Sequence, residues 1–204
     1  MSLGELAGIA GLGAFHGINP AMGWLFAVAL GLQERSRAAV VGALGPIAAG
    51  HALSIALTVA VVEGLEAAVS PSAVRIVGAA ALVTFAVWKL VKQRHPRWVG
   101  FRIGSFELAF WSFLMATAHG AGLMLFPFLV GTGHTAADLG VGAGAADGAL
   151  AVAVHTGAMV ATAGVVAVLV FETVGVGILR SAWLNVDRLW AGALLVGAAA
   201  TLLA

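Results

Sequence analysis

Apolar residues fall in six long runs along the chain, at approximately Glu5 to Leu32, Ala39 to Val62, Ala73 to Val91, Ser105 to Val130, Gly148 to Phe171 and Val186 to Leu203. A bilayer core takes about 20 mostly apolar residues per helix, so each run predicts one membrane helix. Polar or glycine-rich connections separate them: QERSR, EGLEAAVSPS, KQRHPRWVGFR, GTGHTAADLGVGAGAAD and ETVGVGILRSAWLN. Lys and Arg occupy every second connection, with Arg35 and Arg37 in the first, Lys89, Lys92, Arg94, Arg97 and Arg102 around the third, and Arg180 in the fifth. The positive-inside rule then places both termini outside.

Composition fixes the class. The chain is 61% hydrophobic and 9% charged, with a mean hydropathy of +1.05. Soluble domains run at roughly 45 to 50% apolar and ~25% charged, so the expectation is an all-α integral membrane protein of six transmembrane helices, in the cytoplasmic (inner) membrane with the lipid bilayer as its first partner. No Lys or Arg precedes Arg35, and the first run is too long and glycine-rich for a cleaved signal peptide. The chain has no cysteine, which excludes thiolate metal sites and iron–sulfur clusters. A net charge of +1 gives no argument for nucleic acid, and none is expected. A homodimer is left open.

The two halves of the chain resemble each other. GELAGIAGLGAFHG in the first run matches FELAFWSFLMATAHG in the fourth, with a His-Gly pair 11 and 12 residues after Glu5 in the one and 12 and 13 residues after Glu107 in the other. In the second and fifth runs His51 and Thr58 match His155 and Thr162, each pair seven apart and so on one helical face. VRIVGAA and DRLWAGA open the third and sixth. Three helices per unit is an odd number, so the second copy enters from the opposite side. The expected organisation is a first three-helix repeat at 1–92, a basic cytoplasmic loop at 93–103, and an inverted second repeat at 104–204, an arrangement common among secondary transporters.

Candidate chemistry lies in the histidines. His16, His51, His119 and His155 fall mid-run, where a polar side chain is costly and faces the bundle interior. Either each one bridges to a neighbouring helix, or the four converge near the midplane as a metal site. Imidazole suits Ni, Co, Cu and Zn, and no carboxylate lies at that depth in the sequence. Asn19, Met22, Met115 and Met159 are candidate secondary ligands, the thioethers favouring a soft ion such as Cu(I), although methionine commonly fills apolar cores. Gly17 with Pro20, and Gly120 with Gly122, weaken the first and fourth runs just after their histidines and are candidate hinges. Glu5 and Glu107, near opposite faces, are candidate gates or proton acceptors, with simple solvation at a helix start as the alternative. His134 with Asp138 in the fourth connection reads as a linker or a metal-gathering loop.

HGINP in the first run, followed by GPIAAGHALS in the second, resembles the nickel/cobalt transporter family with its urease-accessory and resistance-efflux relatives, and more broadly the superfamily of six-helix exporters that includes the lysine exporter. The resemblance covers residues 11 to 60. It implies a polytopic bundle that moves divalent transition metal ions, with the first-helix histidines essential. The chain keeps His16, Pro20 and Gly50-His51, while Ala21 and Met22 stand where those transporters carry an acidic residue or Gly and a second His. Transport of a transition metal ion is the leading expectation. The competing ones are proton-coupled export of a small solute with histidine relays, an intramembrane redox or hydrolytic protein whose histidines hold a metal or haem, and an accessory subunit.

Overall fold

The structure is a computed structural model that describes residues 1–68, 70–91, 104–130, 141–173 and 186–203. Every regular element among them is helical. The basic segment 93–103, with His95 and Trp98, and the connection holding His134 and Asp138 lie outside the described residues.

Helix α1 (Leu3–Ile18) opens on a capping box, in which Ser2 Oγ accepts from the Glu5 N–H and the Glu5 carboxylate accepts from the Ser2 N–H at 2.6 Å. It stops at Asn19, because Pro20 lacks an N–H and its ring clashes with a continuing helix. One 3-10 turn (Pro20–Met22) follows, then Gly23 at φ 114°, then α2 (Trp24–Glu34). Only glycine adopts that φ without strain. The first apolar run is therefore two half-helices around a break. Helix α3 (Arg37–Ala68) runs unbroken through Pro46, and α4 (Pro71–Val91) starts on a proline, whose missing N–H costs nothing there.

The fourth run breaks in the corresponding place. Helix α5 (Ser105–His119) ends with Gly120 at φ 69°, the Gly120 N–H bonding the Thr117 carbonyl and the Ala121 N–H the Ala116 carbonyl. This is a Schellman stop. A 3-10 turn (Leu123–Leu125) and α6 (Phe126–Val130) continue the run, and α7 (Val141–Thr173) and α8 (Val186–Leu203) complete the chain. Only two helical stretches among the described residues, Arg37–Val62 and Ala145–Thr173, are by themselves long and apolar enough to cross a membrane.

Helix directions follow from residue contacts. Helix α1 lies parallel to α7: the amino terminus pairs with Asp147 at 3.3 Å, Gly13 meets the His155 carbonyl and Gly17 meets the Met159 carbonyl. Helix α3 lies parallel to α5, through Ser112 donating to the Ile47 carbonyl at 2.7 Å, Gly50 on the Ala109 carbonyl, and Ser54 with Thr117 at 2.9 Å. Helices α3 and α7 cross antiparallel, with Arg37 and Glu172 paired at 3.2 Å at one end and His51 against His155 midway. Helix α4 packs chiefly on α8. Among the described residues the first and fourth runs are not the pair that meets at the centre. Instead α3 and α7 cross there, while α1 and α5 flank them, each on a helix of the other half. The glycines explain the choice, since Gly13, Gly17 and Gly50 let backbones meet where any side chain would collide.

The outer surface is apolar. Leu53, Leu57, Val61, Ile76, Val77, Phe110, Val165 and Leu169 are all more than half exposed. A patchwork of this extent is unlike a soluble monomer.

Candidate functional site

Each of the four mid-run histidines is buried, at 0 or 1% exposure. His16 occupies the last turn of α1 and His119 ends α5, so both sit at the carboxyl ends of half-helices, immediately before the breaks. His51 and His155 lie in the middle of α3 and α7. The ring centroids of His16 and His155 are 4.8 Å apart, those of His16 and His51 5.6 Å, and those of His51 and His155 5.5 Å. Three imidazoles from three helices thus meet as one cluster. His119 is within electrostatic reach of both His16 and His51.

Hydrogen bonds orient two of the rings. His16 Nδ1 lies 3.0 Å from the Leu12 carbonyl, and His119 Nδ1 lies 2.8 Å from the Met115 carbonyl. A carbonyl only accepts, so Nδ1 carries the proton in both and Nε2 is the nitrogen turned away from the parent helix. The same tautomer is fixed at the same place in both halves. A backbone carbonyl that accepts from one ring nitrogen is a partner that typically orients a metal-ligating histidine.

His51 and His155 are held otherwise. His51 makes no hydrogen bond from either ring nitrogen, and His155 has the Ile9 backbone as its one neighbouring partner. The rings are parallel within 3°. The Thr156 hydroxyl, next in sequence, is also buried without a partner, whereas Thr58, Thr84, Thr117, Thr173 and Thr201 each donate to the carbonyl four residues back.

Among the described residues no three His, Asp or Glu side chains are arranged to hold one metal ion as they stand. The parallel stack explains this. In-plane lone pairs of two parallel rings point along separate planes and do not meet at one atom, so chelation needs at least one of the two rings to turn.

The other expected site residues fall as follows. Asn19 is buried, but its Oδ1 accepts from the Ala21 N–H and so caps the break; its Nδ2 has no partner. The Ile18 carbonyl freed by the break accepts from the Trp24 indole at 3.0 Å, which leaves it committed within the protein. Met22, Met115 and Met159 are buried, Met159 in an apolar core with Trp24, Ile47 and Ala163. Gly17, Pro20, Gly120 and Gly122 all lie at or beside the two breaks. Glu5 serves the capping box of α1, and Glu107 is exposed with its carboxylate beside Gly104, the equivalent cap of α5. Glu5 stands 11 residues before His16, about 16 Å along the helix, and so outside the cluster.

Three features were not anticipated from sequence. Gly17 is seated on Thr162 and Gly122 on Thr58, so the two matched threonines receive the two breaks. The Ser54–Thr117 hydroxyl pair ties α3 to α5. Small residues seven apart from the histidines were the available signal for the first.

Comparison with protein-family models, curated proteins and solved structures returned no match. What fold and site define together is an all-helical bundle in which imidazoles from both halves of the chain gather beside two helix breaks.

Proposed function

We propose that the chain is an integral membrane transporter of a transition metal cation, built as two inverted three-helix repeats that span the cytoplasmic membrane six times. The observation that carries this reading is the buried cluster of His16, His51 and His155, with His119 close by, at two matched helix breaks. The buried ring of His51, with no protein partner, leaves two polar atoms uncompensated, at about 1–3 kcal/mol each, and an ion would offset that cost.

Three further observations support it. The half-helices α1 and α5 aim their carboxyl ends, the negative ends of their dipoles, at the cluster, which favours a cation over an anion. The donors are nitrogens, which suits Ni, Co, Cu or Zn better than Mg or Ca. Contacts repeat across the halves: α1 on α7 answers α5 on α3, and Gly17 on Thr162 answers Gly122 on Thr58. The likeness of HGINP and GPIAAGHALS to nickel/cobalt transporters points the same way.

Rotation of His51 or His155 out of the stack brings its lone pair towards His16, so binding is coupled to a rearrangement at the α3–α7 crossing. Proteoliposomes loaded with a metal-sensitive dye test the reading. Added Ni, Co, Zn or Cu raises the signal with the intact chain, and His16→Ala with His119→Ala abolishes it; equal flux with and without these histidines overturns it. A second reading, proton-coupled export of a small solute, draws on the same four buried histidines in mid-run positions. That reading predicts solute flux driven by a pH gradient in metal-free buffer.

A further inference from the structure

The two breaks stand at equivalent positions, His16 answering His119 and the 3-10 turn Pro20–Met22 answering Leu123–Leu125 at one constant offset, but they are not held alike. At the first, two side chains bridge the gap. Asn19 Oδ1 accepts from the Ala21 N–H at 3.0 Å, and the indole of Trp24, the first residue of α2, donates back to the carbonyl of Ile18, the last residue of α1, at 3.0 Å. Ile18 lies on the apolar outer surface, where an unpaired carbonyl is costly, so the indole bond is one the break depends on. At the second break the same two positions hold Gly122 and Pro127. Glycine has no side chain to cap with and proline has no N–H, so neither bond can form. The Leu123–Leu125 turn has no side-chain cap, and its hydrogen bonds among the described residues run from backbone to backbone.

Each break also contributes to one of two apolar cores that close the histidine cluster from opposite sides. Ile47 and Met159 lie four residues from His51 and His155 on the same helical faces, towards Arg37 and Glu172, and belong to a buried core with Trp24 and Ala163. Ile55 and Ala151 lie four residues from the same histidines in the other direction, and belong to a buried core with Ile9, Ala121 and Leu125. Apolar constrictions of this kind shut a site by excluding water. The stapled break thus places Trp24 in the core on the Arg37 side, and the unstapled turn places Ala121 and Leu125 in the core on the far side.

We propose that the first break is a fixed frame, with Trp24 as the positioning residue that holds the end of α1 and so His16, and that the Gly120–Leu125 turn is the moving gate. Its displacement withdraws Ala121 and Leu125 from the far core and uncovers the cluster towards the membrane face away from Arg37. The inference rests on the transporter reading and adds which gate opens and which residues hold the other shut.

Hydrogen exchange of the metal-free protein in detergent tests the difference between the breaks. Amides at 121–125 are expected to exchange roughly fivefold or more faster than those at 19–23, the order set by about one hydrogen bond. Trp24→Phe keeps the ring and loses the donor; it should speed exchange at 19–23 by a similar factor and leave 121–125 unchanged. Asn19→Ala, which removes the other staple, takes its place if that variant fails to fold. Equal or slower exchange at 121–125, or no local effect of either variant, overturns the assignment. The chain has no cysteine, so single probes read the gate itself. A water-soluble methanethiosulfonate should modify Ala151→Cys, in the far core, several-fold faster than Ala163→Cys, in the near one, and equal or reversed rates overturn the gate. Metal content of the unsubstituted protein separates the two claims. Bound metal with symmetric exchange and labelling sinks the gate alone, while the predicted asymmetry without bound metal upholds the gate and sinks the metal reading.

Discussion

His51 buries two ring nitrogens that no protein group satisfies. Such groups cost stability, which predicts an unusual mutational result. Replacing His51 with leucine, of similar bulk, is expected to hold or raise the melting temperature of the metal-free protein, because removing an unpartnered polar group is neutral or favourable. The same change abolishes the rise in melting temperature on adding metal, which reports ligand linkage to the folded state. Thermal unfolding in detergent, with and without metal, measures both effects, and a large loss in the metal-free protein would count against the assignment. Metal affinity should also fall as pH is lowered, because protons compete for the imidazole nitrogens; a pH titration of metal binding with the opposite sign contradicts imidazole ligation. The histidines themselves were legible as polar residues in apolar runs. Their stacking was not, since ring orientation depends on where α3 crosses α7 and no spacing within one helix encodes it.

At the level of elements, the breaks were readable and the pairings were not. Gly17 and Pro20, and Gly120 and Gly122, announce discontinuities through lost hydrogen bonds and permissive φ, and the helices stop beside them. Partner choice depends on which small residues face which backbone. Gly13, Gly17 and Gly50 each lie where an added Cβ collides with a carbonyl of the neighbouring helix, whereas nothing lies within 4 Å of one at Gly11, Gly42 or Gly157. Gly13→Ala and Gly50→Ala should therefore destabilise the bundle by about 1–3 kcal/mol through overpacking. Gly42→Ala should be neutral or stabilise by up to about 1 kcal/mol through helix propensity. Denaturant or thermal unfolding of the three variants side by side checks the contrast, and equal effects would contradict the seam. Pro46 is the converse case: it sits inside α3 without ending it, so a lone proline is a weaker stop signal than glycine and proline together.

Across the whole molecule, directions agree with an alternating bundle: α1 with α7, α3 with α5, and α3 against α7. The basic residues at 35 and 37 then share the face reached by Glu172, and the amino terminus with Asp147 takes the other. Reporter tags at the two termini should fall on one side of the membrane and a tag beside Arg35 on the opposite side; any other result breaks the six-span arrangement. Composition, at 61% apolar, pointed to the membrane class, and two helices among the described residues are long and apolar enough to cross a membrane. The exchange of flanks between halves was illegible, since duplication copies residues but not the choice of neighbour.

The central claim is that histidines from both halves form one metal site. Elemental analysis of the purified protein after loading, beside His51→Ala and the His16→Ala, His119→Ala double variant, tests it most directly. The account predicts close to one Ni, Co, Cu or Zn ion per chain in the parent and none in either variant. Metal retained by a variant, or a parent that binds none of these ions while folded, contradicts it.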